Sequence, residues 1–153
     1  MYPVYLYKWH ENTGPSFGDK VSWIVKKDGE TITDTITVPK SFQNLSFSTS
    51  GINLDSGGTI TWNDTSSGKV NINILWVTDA GDINTAHFKV VPDNGKCVIS
   101  SYELKALQIP SNVVTINFDM QKGNIKHKLY SQGTKQISLI CYVERLLNVN
   151  VKK

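Results

Sequence analysis

Hydrophobic and polar residues alternate along most of this chain, most cleanly between Gly58 and Gly123. Ile60 and Trp62 recur with a period of two, as do Val70, Ile72, Ile74 and Trp76. Phe88 and Val90, then Val98, then Val114, Ile116, Phe118 and Met120 continue the pattern. Clusters of Gly, Asp, Asn and Ser separate the runs. Successive side chains of an extended chain point to opposite sides, so this is the pattern of strands with one buried face. Repeated at regular spacing, it predicts an all-β sandwich or barrel.

The flanks carry the same signal. Tyr2 to Trp9 is aromatic-rich with Pro3 near its start, which suits a first or edge strand. His10 to Asp19 is a turn cluster. Val21, Trp23 and Val25 predict a strand paired through an Asp28-Gly29 hairpin with Glu30 to Val38. There Ile32, Ile36 and Val38 share a face that Asp34 interrupts, so a bulge or break is expected near Asp34. Leu45 and Phe47 mark a short strand, and Ser48 to Gly58 a long loop pinned by Ile52 and Leu54. Hairpin turns are expected at Asn63 to Gly68 and Asp79 to Asp82, with a further turn at Asp93-Asn94-Gly95.

The period changes only at Ser101 to Leu107. Leu104 and Leu107 are one helical turn apart, Glu103 lies in the first turn, Ser100 or Ser101 can cap, and Pro110 follows. A short helix with both leucines inward is predicted. Asn124 to Tyr130 and Lys135 to Val151 finish the chain. In the last run Arg145 interrupts the series Ile137, Leu139, Cys141, Val143, Leu147, Val149 and Val151, and a bulge or bend is expected near Glu144-Arg145. The expectation is about ten strands and one short helix. At 153 residues, 1–153 reads as a single domain large enough for a core without staples.

Composition narrows the function classes. The chain is 39% hydrophobic and 19% charged, with a formal net charge of +3. The lysines at Lys26-Lys27, Lys122 to Lys128 and Lys152-Lys153 read as solvated edge-strand residues, so nucleic acid is not an expected partner. No window has the roughly 18 apolar residues of a membrane span. MYPVYLYKWH lacks a basic segment followed by an apolar one, so no signal peptide is expected in the chain as written.

The chemistry-bearing residues are sparse. Of the three histidines, His10 falls in a loop, while His87 and His127 lie opposite the apolar faces of their strands. None sits in a nucleophile elbow, so no catalytic residue is nominated. No Cys/His pair has zinc spacing. Asp79/Asp82 or Asp55/Asp64 could be weighed for calcium, but turn chemistry accounts for them, as it does for Asp28 and Asp93. No metal or cofactor is expected. Cys97 and Cys141 either bond, closing a loop of about 45 residues worth about 4 kcal/mol, or remain two small buried thiols; the second is the simpler reading. Trp23, Trp62 and Trp76 share the apolar faces of their strands and read as core. Tyr5, Tyr7 and Trp9 lie on one face of the first strand and are the candidate binding strip, for a glycan or a protein partner.

The run FKVVPDNGKCVISSYELKALQIPSNVVTINF, with TITWN and GKVNINI upstream of it, resembles an immunoglobulin-like β-sandwich module of bacterial surface or periplasmic lipoproteins. In that module a strand leads through D-x-G-S-F-x-I-P to a short x-x-L-x-x-L-P helix, then to a strand ending in R-G. The likeness covers Gly58 to Gly123. It departs at Cys97-Val98, where an aromatic strand start is usual, and at Gln121-Lys122, where an Arg is common. The resemblance implies an immunoglobulin-like antiparallel sandwich, export to an extracellular or periplasmic location, and no catalytic residues. The expected function is a non-catalytic structural or interaction module of such an assembly, acting through a surface. A carbohydrate-binding module is the alternative.

Overall fold

The structure is a computed structural model that describes residues 18–27, 29–130 and 135–152. The first-strand expectation, including Tyr5, Tyr7 and Trp9, lies outside the described residues, as do His10 and Asp28. Nine strands and one helix follow in order among the described residues. They are β1 (Lys20–Lys27), β2 (Glu30–Thr37), β3 (Gln43–Phe47), β4 (Gly58–Asn63), β5 (Lys69–Thr78), β6 (Ile83–Pro92), β7 (Lys96–Ile99), α1 (Ser101–Ala106), β8 (Val113–Tyr130) and β9 (Lys135–Asn150). The strands form sheets β1-β2, β3-β4-β7 and β6-β5-β8-β9. The chain divides into two compact units, 1–39 with 124–141 and 40–123 with 142–153.

In the first unit β1 and β2 make the expected hairpin, with Gly29 at φ +80 just before β2. Their register runs unbroken from Lys20 opposite Thr37 to Lys27 opposite Glu30, so the bulge expected at Asp34 is absent. Asp34 instead stays half-buried, in phase with Ile32 and Ile36. Its carboxylate accepts from the Thr35 N–H at 2.7 Å and from Lys126 Nζ at 3.4 Å. Those donors compensate the charge where it stands, and the strand has no need to turn it outward. Trp23 is half-buried rather than deep core, and its indole Nε1 is buried without a hydrogen-bond partner.

The second unit holds the main core. Inward residues of β3-β4-β7 (Ile60, Trp62, Cys97, Ile99) share one cluster with those of β5, β8 and β9 (Val70, Ile72, Ile74, Trp76, Ile116, Phe118, Met120, Val143, Val149). Phe47 of one sheet stacks on Phe118 of the other, centroids 6.1 Å apart. Burying each such aliphatic or aromatic side chain stabilises by about 1.5–3 kcal/mol, so this shared face holds the two sheets together. Helix α1 links β7 to β8. Ser100 caps it with a full capping box to Glu103, Leu104 is buried and Leu107 half-buried against the core, as predicted.

Several sequence expectations need correction. Asn63 to Gly68 is not a hairpin turn: β4 pairs with β3 and β7, while β5 pairs with β6 and β8, so the segment crosses between sheets. Asp93 to Gly95 crosses back. Of these three segments it is Asp79 to Asp82 that closes a hairpin, with Thr78 N–H donating to Asp82 O at 3.0 Å.

In β6 the register slips at Ile72/Asn73, which face Lys89 and His87 and leave Phe88 as the extra residue. Beyond it Val91 packs on the core and Val90 is exposed. In β8 a second slip pairs Thr78 with Val113 and Val77 with Thr115, so Val113 is buried and Val114 exposed. In β7 it is Cys97 and Ile99 that face inward, with Val98 outward. In β9 the alternation passes through Glu144-Arg145 without a change of phase. Arg145 takes an inward position and donates from Nε to Ser41 Oγ at 3.2 Å, so no bulge is needed.

The loop of Ser48 to Gly58 is pinned as expected. Ile52 is fully buried and Leu54 packs on the core. Ile52 N–H donates to Asn150 O and Lys152 N–H to Ile52 O, both at 2.8 Å, making a parallel bridge to Val151. Cys97 and Cys141 are free thiols, and burial pushes both up from their ordinary pKa. No helix among the described residues is long and apolar enough to cross a membrane.

Candidate functional site

The outer face of β6-β5-β8-β9 carries a polar row that periodicity alone places nowhere in particular. Inward positions of β5 are apolar, so its outward positions are Asn71, Asn73, Leu75 and Val77. The register sets Asn73 opposite His87 on one side and Asp119 on the other, and Asn71 opposite Gln121. The β6 bulge decides the first pairing, because the extra Phe88 shifts His87 into line with Asn73.

These side chains are bonded into a row. His87 Nδ1 lies 3.3 Å from Asn73 Oδ1, and Asn73 Nδ2 donates to Asp119 Oδ2 at 3.1 Å. Gln121 Nε2 donates to the same oxygen at 2.7 Å. With Asn73 oriented by Asp119, its Oδ1 faces His87, so Nδ1 is the ring nitrogen that donates to it. The other carboxylate oxygen, Asp119 Oδ1, has no hydrogen-bond partner although buried. A cleft of 520 Å³ opens over His87, Asn73 and Asp119 of this row, lined also by Leu75, Thr85, Glu144 and Leu146. A buried polar atom without a partner departs from the rule in folded chains and marks a place where a ligand donor could be accepted.

Neither described histidine forms a catalytic set. His127 Nδ1 lies 2.9 Å from Ser138 Oγ, but both are exposed on their strands and Gln136 Nε2 donates to the same nitrogen at 2.8 Å. No carboxylate is hydrogen-bonded to His87 or His127 among the described residues. Two of the turn aspartates are engaged by other segments: Asp79 accepts from Asn112 Nδ2 at 2.8 Å, and Asp55 pairs with Lys105 at 3.1 Å. Among the described residues no group of three or more His, Cys, Asp or Glu is placed to hold a metal ion.

A second polar cluster is buried in the second unit, and it corrects two expectations. Lys122 is not a solvated edge lysine, nor is Asp93 only a turn former. Their side chains are 4% and 0% exposed and meet at 3.3 Å. Trp62 Nε1 donates to Asp93 Oδ1 and Ser66 Oγ to Oδ2, each at 2.7 Å. Lys122 Nζ also donates to the Asp64 carbonyl at 2.6 Å and lies 4.7 Å from the Phe42 ring centroid. Gly95, at φ +85, lets the β6–β7 crossing pass close by, since a Cβ there would lie 2.8 Å from the Trp62 carbonyl oxygen. Closed to solvent and satisfied within the chain, this cluster ties the two crossing segments together rather than meeting a substrate.

Compared with known proteins, the chain matches no family model, no curated protein and no solved structure.

Proposed function

We propose that this chain is a non-catalytic interaction module of a bacterial surface or periplasmic assembly, built as an immunoglobulin-like sandwich. Two facing sheets joined by crossing segments, with the short helix where the resemblance calls for one, support that reading of the fold. The observation that carries the function is the row His87, Asn73 and Asp119 under an open cleft, with Gln121 bonded to Asp119 beside it. It presents aligned hydrogen-bonding groups on a rigid sheet, as a binding surface requires.

The test is a binding screen of the purified chain against immobilised peptides and glycans. Asn73→Ala is compared with Tyr102→Ser, a change at a fully solvated position of α1. Binding that Asn73→Ala loses and Tyr102→Ser keeps is the expected result. Binding that survives Asn73→Ala, or no binding on either panel, would sink this face as the working surface.

A further inference from the structure

Asp93 and Lys122 are placed to do more than attract one another. We propose that their side chains condense, with loss of water, to an intramolecular amide that cross-links β8 to the crossing between β6 and β7.

In dilute water an amine and a carboxyl stay apart as ions, each held by its own hydration. Here that hydration is already gone, since the two side chains are 4% and 0% exposed. Lys122 Nζ lies 3.3 Å from Asp93 Oδ2, one bond from the carbon it attacks. Reactants held in well-aligned contact behave as if at an effective concentration of about 10⁵–10⁸ M. The rings of Phe42 and Trp62, edge to face at 6.2 Å, are both buried beside the pair and keep water from reversing the bond.

The step balances within the cluster. The ammonium passes one proton to Oδ2 and the freed lone pair attacks Cγ. A C–N bond forms, and the displaced electron pair rests on Oδ1, which accepts from Trp62 Nε1 at 2.7 Å. A second proton moves from nitrogen to Oδ2 through the Ser66 hydroxyl, bonded to that oxygen at 2.7 Å. The Cγ–Oδ2 bond then breaks and water departs. Three hydrogens on nitrogen become one on the amide and two on water, and the net charge is zero before and after.

The partners in place already suit the product. An amide needs one acceptor for its N–H and one donor for its carbonyl oxygen. The Asp64 carbonyl, 2.6 Å from Nζ, and Trp62 Nε1 meet both needs. The oxygen that leaves is the one bonded to Ser66, an exposed residue, so water has a short way out. Ser66 Oγ is itself positioned by the Gly68 N–H at 3.2 Å. An ion pair keeps two charges in the interior, whereas the amide keeps none.

Mass spectrometry of the whole chain, kept folded and then denatured, tests this. The mass should fall one water below that of the sequence. A tryptic digest should hold a branched peptide joining residues 90–96 to 106–126, because an acylated Lys122 is no longer cut. Lys122→Arg and Asp93→Ala should each retain the full mass. In freshly translated chain, Ser66→Ala should slow the loss of water at least tenfold. Full mass that persists on prolonged incubation of the folded chain overturns the inference and leaves an ion pair. So does a water lost elsewhere, with the two peptides recovered unjoined. An unchanged rate in Ser66→Ala overturns the proton route and the proposed step with it. The mass and the branched peptide are read on the unaltered protein, so a variant that fails to fold does not remove the test.

Discussion

The Asp93 carboxylate and the Lys122 ammonium meet at 3.3 Å in the protein interior, with almost no exposure of either side chain. Breaking such a pair leaves an uncompensated buried charge. Lys122→Met or Asp93→Ala alone should therefore destabilise by about 3–5 kcal/mol, read from urea denaturation midpoints. The double variant Asp93→Ala/Lys122→Met should be clearly less unstable than the two losses summed. Additive effects would mean the two charges do not act as a pair.

The two core tryptophans differ in one respect. Trp62 Nε1 donates to Asp93, whereas Trp76 Nε1 is buried without a partner. Trp76→Phe keeps the ring volume largely and removes no hydrogen bond, so it should cost under about 1.5 kcal/mol. Trp62→Phe leaves an Asp93 oxygen unsatisfied and should cost about 1–3 kcal/mol more than Trp76→Phe does. Trp76→Ala, which opens a cavity, should cost about 3–5 kcal/mol. Equal stability of the two Phe variants would contradict the assigned bond.

Two adjacent valines report the β6 bulge. Val90 is 51% exposed while Val91 packs on the core. Val90→Lys should stay within about 0.5 kcal/mol of the parent, and Val91→Lys should destabilise by several kcal/mol through the buried amine. The reverse order of the two melting temperatures would restore an unbroken strand.

Helix α1 offers a pH-dependent readout. Burial alone would push the Glu103 carboxyl up, but the hydrogen bonds from Lys89 and Ser100 outweigh it and hold it below the usual carboxylate range. A depressed folded pKa contributes stability that is present above the unfolded pKa and lost as pH falls through the folded one. The pair is part-exposed, so Glu103→Gln should cost only about 0.5 kcal/mol at pH 7, a gap that closes on acidification. Ser100→Ala should cost about 1 kcal/mol through the lost cap. A Glu103→Gln deficit that persists at acid pH would show the effect is not the charge.

Much of this architecture was legible because burial imposes a period. Val70, Ile72, Ile74 and Trp76 read directly as one inward face, and Ser100 with Glu103 announced the helix start. The reading failed at Val90-Val91 and at Val113-Val114. At each of those doublets two neighbours are equally at home inside, so periodicity cannot say where a bulge changes the phase. Asp93 and Lys122 were misread because a charge is buried only where a partner meets it, and that partner is remote in sequence. The cleft was missed for a related reason. Asn71, Asn73, Asp119 and Gln121 are ordinary outward residues one at a time, and only cross-strand register makes them a row. Their one local signal was the run of amides in a strand, where Asn is disfavoured.

The bridge of Ile52 to Val151 has a mechanical meaning. The two segments run parallel, so tension entering before Ile52 and leaving after Lys152 pulls them in opposite directions along their common axis. The hydrogen bonds from Ile52 N–H to Asn150 O and from Lys152 N–H to Ile52 O are then loaded together, in shear. An antiparallel end would open one bond at a time. Force spectroscopy on a tethered chain should show a single high-force event at this clamp, lost when Ile52 is replaced by Pro, which removes one of the donors. A module anchored through this end would thus resist extension until the clamp yields at once, rather than fraying under load.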